Sequence, residues 1–401
     1  MGYLVKAGMK MNLKKIWKII FFLTLMLPFS EGYSILNGLS LSYGITILDV
    51  AFLIYILIAV IVYGLPRKIK KGKIFGYLLI FLLIITTIYI LVQSYKVYGM
   101  SAFRDSFNYL MCFFFLVGVF FLKDLSINEI MEITKKSYIG YTIITIICYF
   151  LFLSQGERIG SNCFTLSIAV IPYAVKEVFE RGKNKRQNIF LFFCFMANIV
   201  LSQNRTNAVL TVIVSFYVAV SVAKQKLTKK MFNRLAFLLA FFLVGLLIFY
   251  VSQTAFVERL LTGGGIDTMG GRMQTFIYYW SKFKENLNGY GFGYVMHFVN
   301  EIGYVLPSET YQIDNAFIVY AIKGGVIYLL VNMLLVCMPF VKRFYYGTEE
   351  RKFWSVTYFA LLVGASIMTS QLIQGRAIGM FIWTIIGMAI QNSNCTNVRR
   401  N

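Results

Sequence analysis

Apolar residues run along this chain in long unbroken stretches, without the alternation of a half-buried strand or the single stripe of a surface helix. Stretches of roughly 15 to 25 residues match what a helix needs to cross the hydrocarbon of a bilayer. In lipid only helices and closed barrels satisfy every backbone N–H and C=O, and a barrel shows shorter segments of alternating hydrophobicity. The pattern predicts twelve spans, near 14–30, 45–64, 74–92, 107–122, 138–153, 163–180, 188–201, 205–223, 233–251, 314–341, 353–370 and 376–391. Lys6, Lys10, Lys14, Lys15 and Lys18 precede the first run and no small-residue cleavage site follows it, which predicts a retained signal-anchor helix.

The connections are short except one. Between the ninth and tenth spans, 252–313 forms a long outer segment rich in aromatics, with an amphipathic stretch from Arg272 to Leu287. Disordered segments lack such aromatic content, and loops of this length in compact proteins carry function. The pattern therefore predicts a folded, membrane-hugging subdomain with a helix near 271–286. The expected fold is an all-α integral membrane protein: transmembrane helices in 1–251, a large extracytoplasmic loop in 252–313, and further transmembrane helices in 314–401.

Composition sharpens this picture. Of 401 residues 58% are hydrophobic and 14% charged, too few charges to cover a soluble surface. The net charge of +22 raises the question of nucleic acid, and its placement answers it. With the N-terminus inside, 29 of the 39 Lys and Arg fall on cytoplasmic segments and 9 outside, while Lys323 lies in a span. Acidic residues divide 7 inside and 9 outside, with Asp49 in a span, so the whole excess sits on the inner face. That asymmetry is an orientation signal and an attraction to anionic lipid; it requires no nucleic-acid groove. Cys112, Cys148, Cys194 and Cys337 lie in spans, Cys163 at a span edge and Cys395 in the tail, so no disulfide framework is expected. No Cys/His cluster has metal-ligand spacing, and no cofactor is expected.

The outer charges carry the candidate chemistry. Six of the nine outer basic residues are Arg (Arg104, Arg158, Arg205, Arg259, Arg272, Arg376), against 8 of 29 inside. Arginine offers a planar fork that grips phosphate oxygens in bidentate fashion, which lysine does not; pairing with lipid headgroups is the simpler use of such residues. Arg205 in SQNRTNAV, Arg272 after Gly270 and Gly271, and Arg376 in SQLIQGRAIG all stand at outer helix ends, where they could converge on one di-anionic headgroup. Base candidates are Asp314, Glu309 and His297. Asp314 also suits the cap of the tenth helix, and His297 suits a structural role. Lys323 is a costly intramembrane charge that needs a partner such as Asp49. The run GYGFG reads as a turn.

SQNRTNAV with Arg205, GGRMQTFIYYWSKFKENLNGYGFG with Arg272, and IDNAFIVYAIKGG at 313–325, in that order and topology, resemble the bacterial O-antigen and capsular polysaccharide repeat-unit polymerases and their relatives, the O-antigen ligases. In the ligases the last motif has a histidine where this chain has Asp314, which favours the polymerase branch. The resemblance implies a GT-C-like architecture in the bacterial cell membrane. It also implies transfer of a chain from one undecaprenyl-pyrophosphate-linked oligosaccharide to the nonreducing end of another, on the outer face. Asp314, Arg272 and Arg205 would be catalytic, with Arg376, Arg158, Glu309, His297 and Tyr290 binding substrate. Tyr278, Tyr279, Trp280, Tyr290 and Phe292 are candidates for stacking on sugars. The implied partners are the lipid-linked oligosaccharide, membrane lipid and a chain-length regulator. A lipid-linked oligosaccharide flippase and an O-antigen ligase are the alternatives.

Overall fold

A computed structural model describes residues 2–27, 46–63, 73–122, 125–151, 164–180, 185–202, 205–223, 269–311, 313–341, 348–367, 369, 371–374 and 376–391. The expected ninth span and residues 252–268 of the outer segment lie outside them. Helices make up 85% of the described residues, so the helical expectation holds for the class. They are α1 (Gly2–Met26), α2 (Ile47–Tyr63), α3 (Ile74–Tyr98), α4 (Met100–Phe120), α5 (Ile127–Leu151), α6 (Ser167–Glu180), α7 (Lys185–Ser202) and α8 (Arg205–Ala223). Then come α9 (Met269–Glu285), an antiparallel hairpin of β1 (Met296–Val299) and β2 (Val305–Thr310), α10 (Ala316–Val341), α11 (Thr348–Leu362), a π-helical turn (Val363–Ile367), α12 (Gln371–Gln374) and α13 (Arg376–Gln391). The hairpin is a departure from the all-α expectation.

Among the described residues, three helices are long and apolar enough to cross a membrane, Ile74–Tyr98, Met100–Phe120 and Ala316–Val341. These helices and their neighbours turn large apolar side chains outward and bury polar ones. On α3, Phe75, Leu78, Phe81, Ile85, Ile88 and Val92 point outward while Thr87 and Ser94 are buried. On α8, Val209, Ile213 and Phe216 face out, and Asn207, Thr211 and Ser215 form a buried stripe at helical spacing. Water would reverse that arrangement; lipid favours it, because interhelical hydrogen bonds then satisfy the inward polar groups.

Those bonds fix which helices run side by side. Asn207 Nδ2 donates to Thr165 Oγ1 at 2.6 Å, and Ser167 and Thr211 hydroxyls lie 2.8 Å apart, so α6 and α8 run parallel. Lys14 and Lys18 reach Glu129 at 3.2 and 2.8 Å, while Ser137 Oγ donates to Phe22 O, so α1 and α5 run parallel. Cys112 Sγ donates to Leu372 O, and Gln391 Nε2 to Phe120 O, which aligns α4 with α12 and α13. At Gly387 an added Cβ would stand 2.8 Å from Leu116 O, so α4 and α13 touch backbone to backbone.

The expected tenth span is not one continuous helix. Gly325 has φ 74 and ψ −172 inside α10, a left-sided φ that glycine tolerates best. The break divides α10 into an upper half carrying Lys323 and a lower half that continues to Val341.

Candidate functional site

Residues 269–311 fold onto the head of α10. The helix expected over 271–286 is α9, whose buried Thr275 and Tyr279 lie one turn apart against β1. Thr275 Oγ1 accepts from Val299 N–H at 2.9 Å and faces Val299 O at 3.2 Å, and Tyr279 Oη accepts from His297 N–H at 2.5 Å. The edge of β1 away from β2 is thereby satisfied by side chains of α9. Burial pushes the Tyr279 phenol up to about 12 against the hydrogen bond from His297 N–H; it is a neutral structural group.

Two adjacent polar residues begin α10 and do different work. Asn315, not Asp314, caps the helix: its Oδ1 accepts from Phe317 N–H at 3.0 Å and Ile318 N–H at 3.1 Å. Those are the second and third helical residues, where a cap oxygen reaches. The expectation that Asp314 would cap is corrected. Asp314 turns instead to α9, where Arg272 Nε lies 3.0 Å from Asp314 Oδ2, with each side chain about a third exposed (34% and 32%). Two of the expected catalytic residues therefore meet where the start of α9 approaches the head of α10.

The other expected site residues divide into three groups. Arg205 and Arg376 are the first residues of α8 and α13, with side chains outside the described residues, and Arg158 lies wholly outside them. His297 and Glu309 face each other across the hairpin register. His297 Nδ1 is buried with no hydrogen-bond partner among the described residues, while Glu309 is exposed. Tyr290 is half-buried, stacks on Tyr294 at 4.7 Å, and its hydroxyl donates to Lys282 O. Among the sugar-stacking candidates, Tyr279 and Phe292 are only 1% and 0% exposed and have no free face. Phe292 instead packs on Tyr109 and Tyr328. Trp280, on the exposed side of α9, and Tyr278 keep accessible surface.

Lys323 does not pair with Asp49. Asp49 lies at the start of α2, where its Oδ2 accepts from Thr46 N–H at 2.7 Å. The partner of Lys323 is Asp105, which the hydropathy pattern places in an outer loop and the structure buries in α4. Only its position in SAFRDSFNYL, at helical spacing from the buried Ala102 and Tyr109, marks it as inward-facing. The GYGFG run is a turn, with Gly289, Gly291 and Gly293 all at positive φ. No group of three or more His, Cys, Asp or Glu among the described residues is arranged to hold a metal ion. No protein family, curated protein or solved structure matches this chain.

Proposed function

We propose that this protein is a polysaccharide polymerase acting on the outer face of the cytoplasmic membrane, joining oligosaccharide repeat units carried on lipid pyrophosphate. The observation that carries the reading is the partly exposed Arg272–Asp314 pair where an aromatic-rich segment meets the head of an apolar helix. The acceptor hydroxyl attacks the anomeric carbon of the donor sugar, the bond from that carbon to pyrophosphate oxygen breaks, and lipid pyrophosphate leaves. Asp314 takes the hydroxyl proton. Arg272, ion-paired with Asp314, presents its guanidinium to the departing pyrophosphate and stabilises the charge developing there. Arg205 and Arg376 head two further helices and complete the anion site in this reading. His297, Glu309, Tyr290, Tyr278 and Trp280 are proposed to bind sugar.

The twelve-span topology belongs to the same proposal. Its support is that the parallel helix pairs, α1 with α5, α4 with α13 and α6 with α8, each join spans of like direction in an alternating count. One observation favours the flippase instead: α10 is broken within the bundle beside a buried charge pair, a feature that transporters use at their binding sites. Purified protein in vesicles separates the readings. Longer chains built from supplied lipid-linked repeats support the polymerase, whereas movement of the repeats across the bilayer without lengthening supports the flippase.

A further inference from the structure

Asp105 on α4 and Lys323 on α10 face each other in the interior, the Lys323 side chain fully buried and that of Asp105 1% exposed, with Nζ 2.5 Å from Oδ2. Charges withdrawn from water persist where they are paired and further hydrogen-bonded. Here the further bonds come from a third element: Asp105 Oδ2 accepts from Gly293 N–H at 2.8 Å, and Lys323 Nζ donates to Tyr294 O at 2.7 Å. The ring of Tyr311 lies 5.4 Å from the same ammonium.

Segment 286–294 also fills the break in α10. Tyr290 N–H donates to Ile322 O at 2.6 Å, Gly291 N–H to Lys323 O at 3.0 Å, and Val326 N–H to Leu287 O at 2.9 Å. A broken helix leaves such groups without intrahelical partners, and in a bilayer they must be satisfied by protein. The fit leaves no room for side chains. A Cβ on Gly289 would lie 2.5 Å from Gly325 N, and one on Gly293 would lie 2.9 Å from Ala102 N.

We propose that Asp105 and Lys323 are positioning residues: their ion pair fastens segment 286–294 into the break of α10 and so holds Arg272 in register with Asp314. The connectivity supports this coupling. α9, which carries Arg272, runs directly into the fastened segment, and Asp314 leads into the half of α10 that ends at Lys323 and the break. The catalytic consequence rests on the polymerase reading; the latch itself rests on the geometry alone.

The test uses the full chain in lipid with Asp105→Leu and Lys323→Met combined, because either single change strands a buried charge. Hydrogen exchange of 286–294 is expected to quicken about tenfold or more while α9 and the hairpin keep their protection. Chain-lengthening turnover is expected to fall roughly a hundredfold at unchanged KM for the lipid-linked repeat, the cost of misplacing a catalytic group by about 1 Å. If the double variant does not accumulate, Asp105→Asn combined with Lys323→Met strands no charge and retains an acceptor for Gly293 N–H, and a smaller rise in exchange is expected. Unchanged exchange in 286–294 overturns the latch. Faster exchange with wild-type turnover overturns its positioning role. If the wild-type protein lengthens no chains, the polymerase reading falls, and the exchange measurement still decides the latch.

Discussion

Asn315 and Asp314 stand side by side, and both are residue types that cap helices; the backbone decides between them. Asn315, at φ 146, aims its Oδ1 at the first turn of α10, and Asp314 is left to meet Arg272. The sequence cannot show that choice, since it does not reveal which residue takes the unusual φ. Asn315→Ala should lower stability by about 1 kcal/mol through loss of the cap, and Asp314→Asn, which spares the cap, should shift thermal unfolding in detergent much less. Equal shifts would contradict the assignment. Ser126-Ile-Asn-Glu129 forms a capping box, in which Glu129 N–H donates to Ser126 Oγ and Ser126 N–H to Glu129 Oε2. The box fixes the start of α5 and places Glu129 against Lys18 and Lys14. Burial opposes ionisation of Glu129, but hydrogen bonds from Lys18, Ser126 N–H and Lys14 outweigh it and hold the carboxyl down at about 2. Because the folded value is depressed, its stabilisation is present above the ordinary value of 4.5 and is lost as pH falls toward 2. Melting curves from pH 6 to 2.5 should therefore decline more steeply for the wild type than for Glu129→Gln; parallel curves would exclude Glu129 as a contributor.

At the scale of elements, the long apolar helices were legible from their unbroken apolar runs, and α9 from its amphipathic period. The hairpin was not. MHFV and VLPSET are short, neither alternates strongly, and Pro307 argues against a strand except at an edge. What forms the hairpin is tertiary: Thr275 and Tyr279 of α9 hold the outer edge of β1. The break in α10 was also hidden, since Gly324 and Gly325 within an apolar run read equally well as part of a continuous span. Glycine positions allow a direct test of how tightly the segment is seated. Gly293 and Gly303 share φ +85, but an added Cβ meets Tyr98 Cβ at 2.8 Å and Ala102 N at 2.9 Å at Gly293 and nothing within 4 Å at Gly303. Gly303→Ala should cost about 1 kcal/mol from backbone strain alone, and Gly293→Ala should cost clearly more because α3 and α4 must move. Similar melting temperatures for the two variants would contradict the packing described for 286–294.

For the whole molecule, the charge asymmetry and the outward apolar faces agree on a membrane solvent, and the proposed orientation puts the site outside. The route of Lys323 to Asp105 was illegible for a physical reason: hydropathy locates the ends of apolar runs, whereas α4 begins before its run and carries Asp105 inward. Orientation can be measured on a cysteine-free background. Ile302→Cys, at the exposed hairpin tip, should react with an impermeant thiol reagent added to intact cells, and Arg186→Cys, near the start of α7, should not; reversed labelling would place the proposed site on the wrong side. The most direct measurement of the central claim is the length of chains made by purified protein from lipid-pyrophosphate-linked repeats. The wild type should yield a ladder of lengthened products. Arg272→Ala, present in normal amounts, should slow lengthening roughly a hundredfold, about 3 kcal/mol. Arg272→Lys should recover little, because a point charge lacks the fork that holds a carboxylate and a phosphate together. A wild-type ladder from Arg272→Ala, or no ladder from the wild type, would contradict the account.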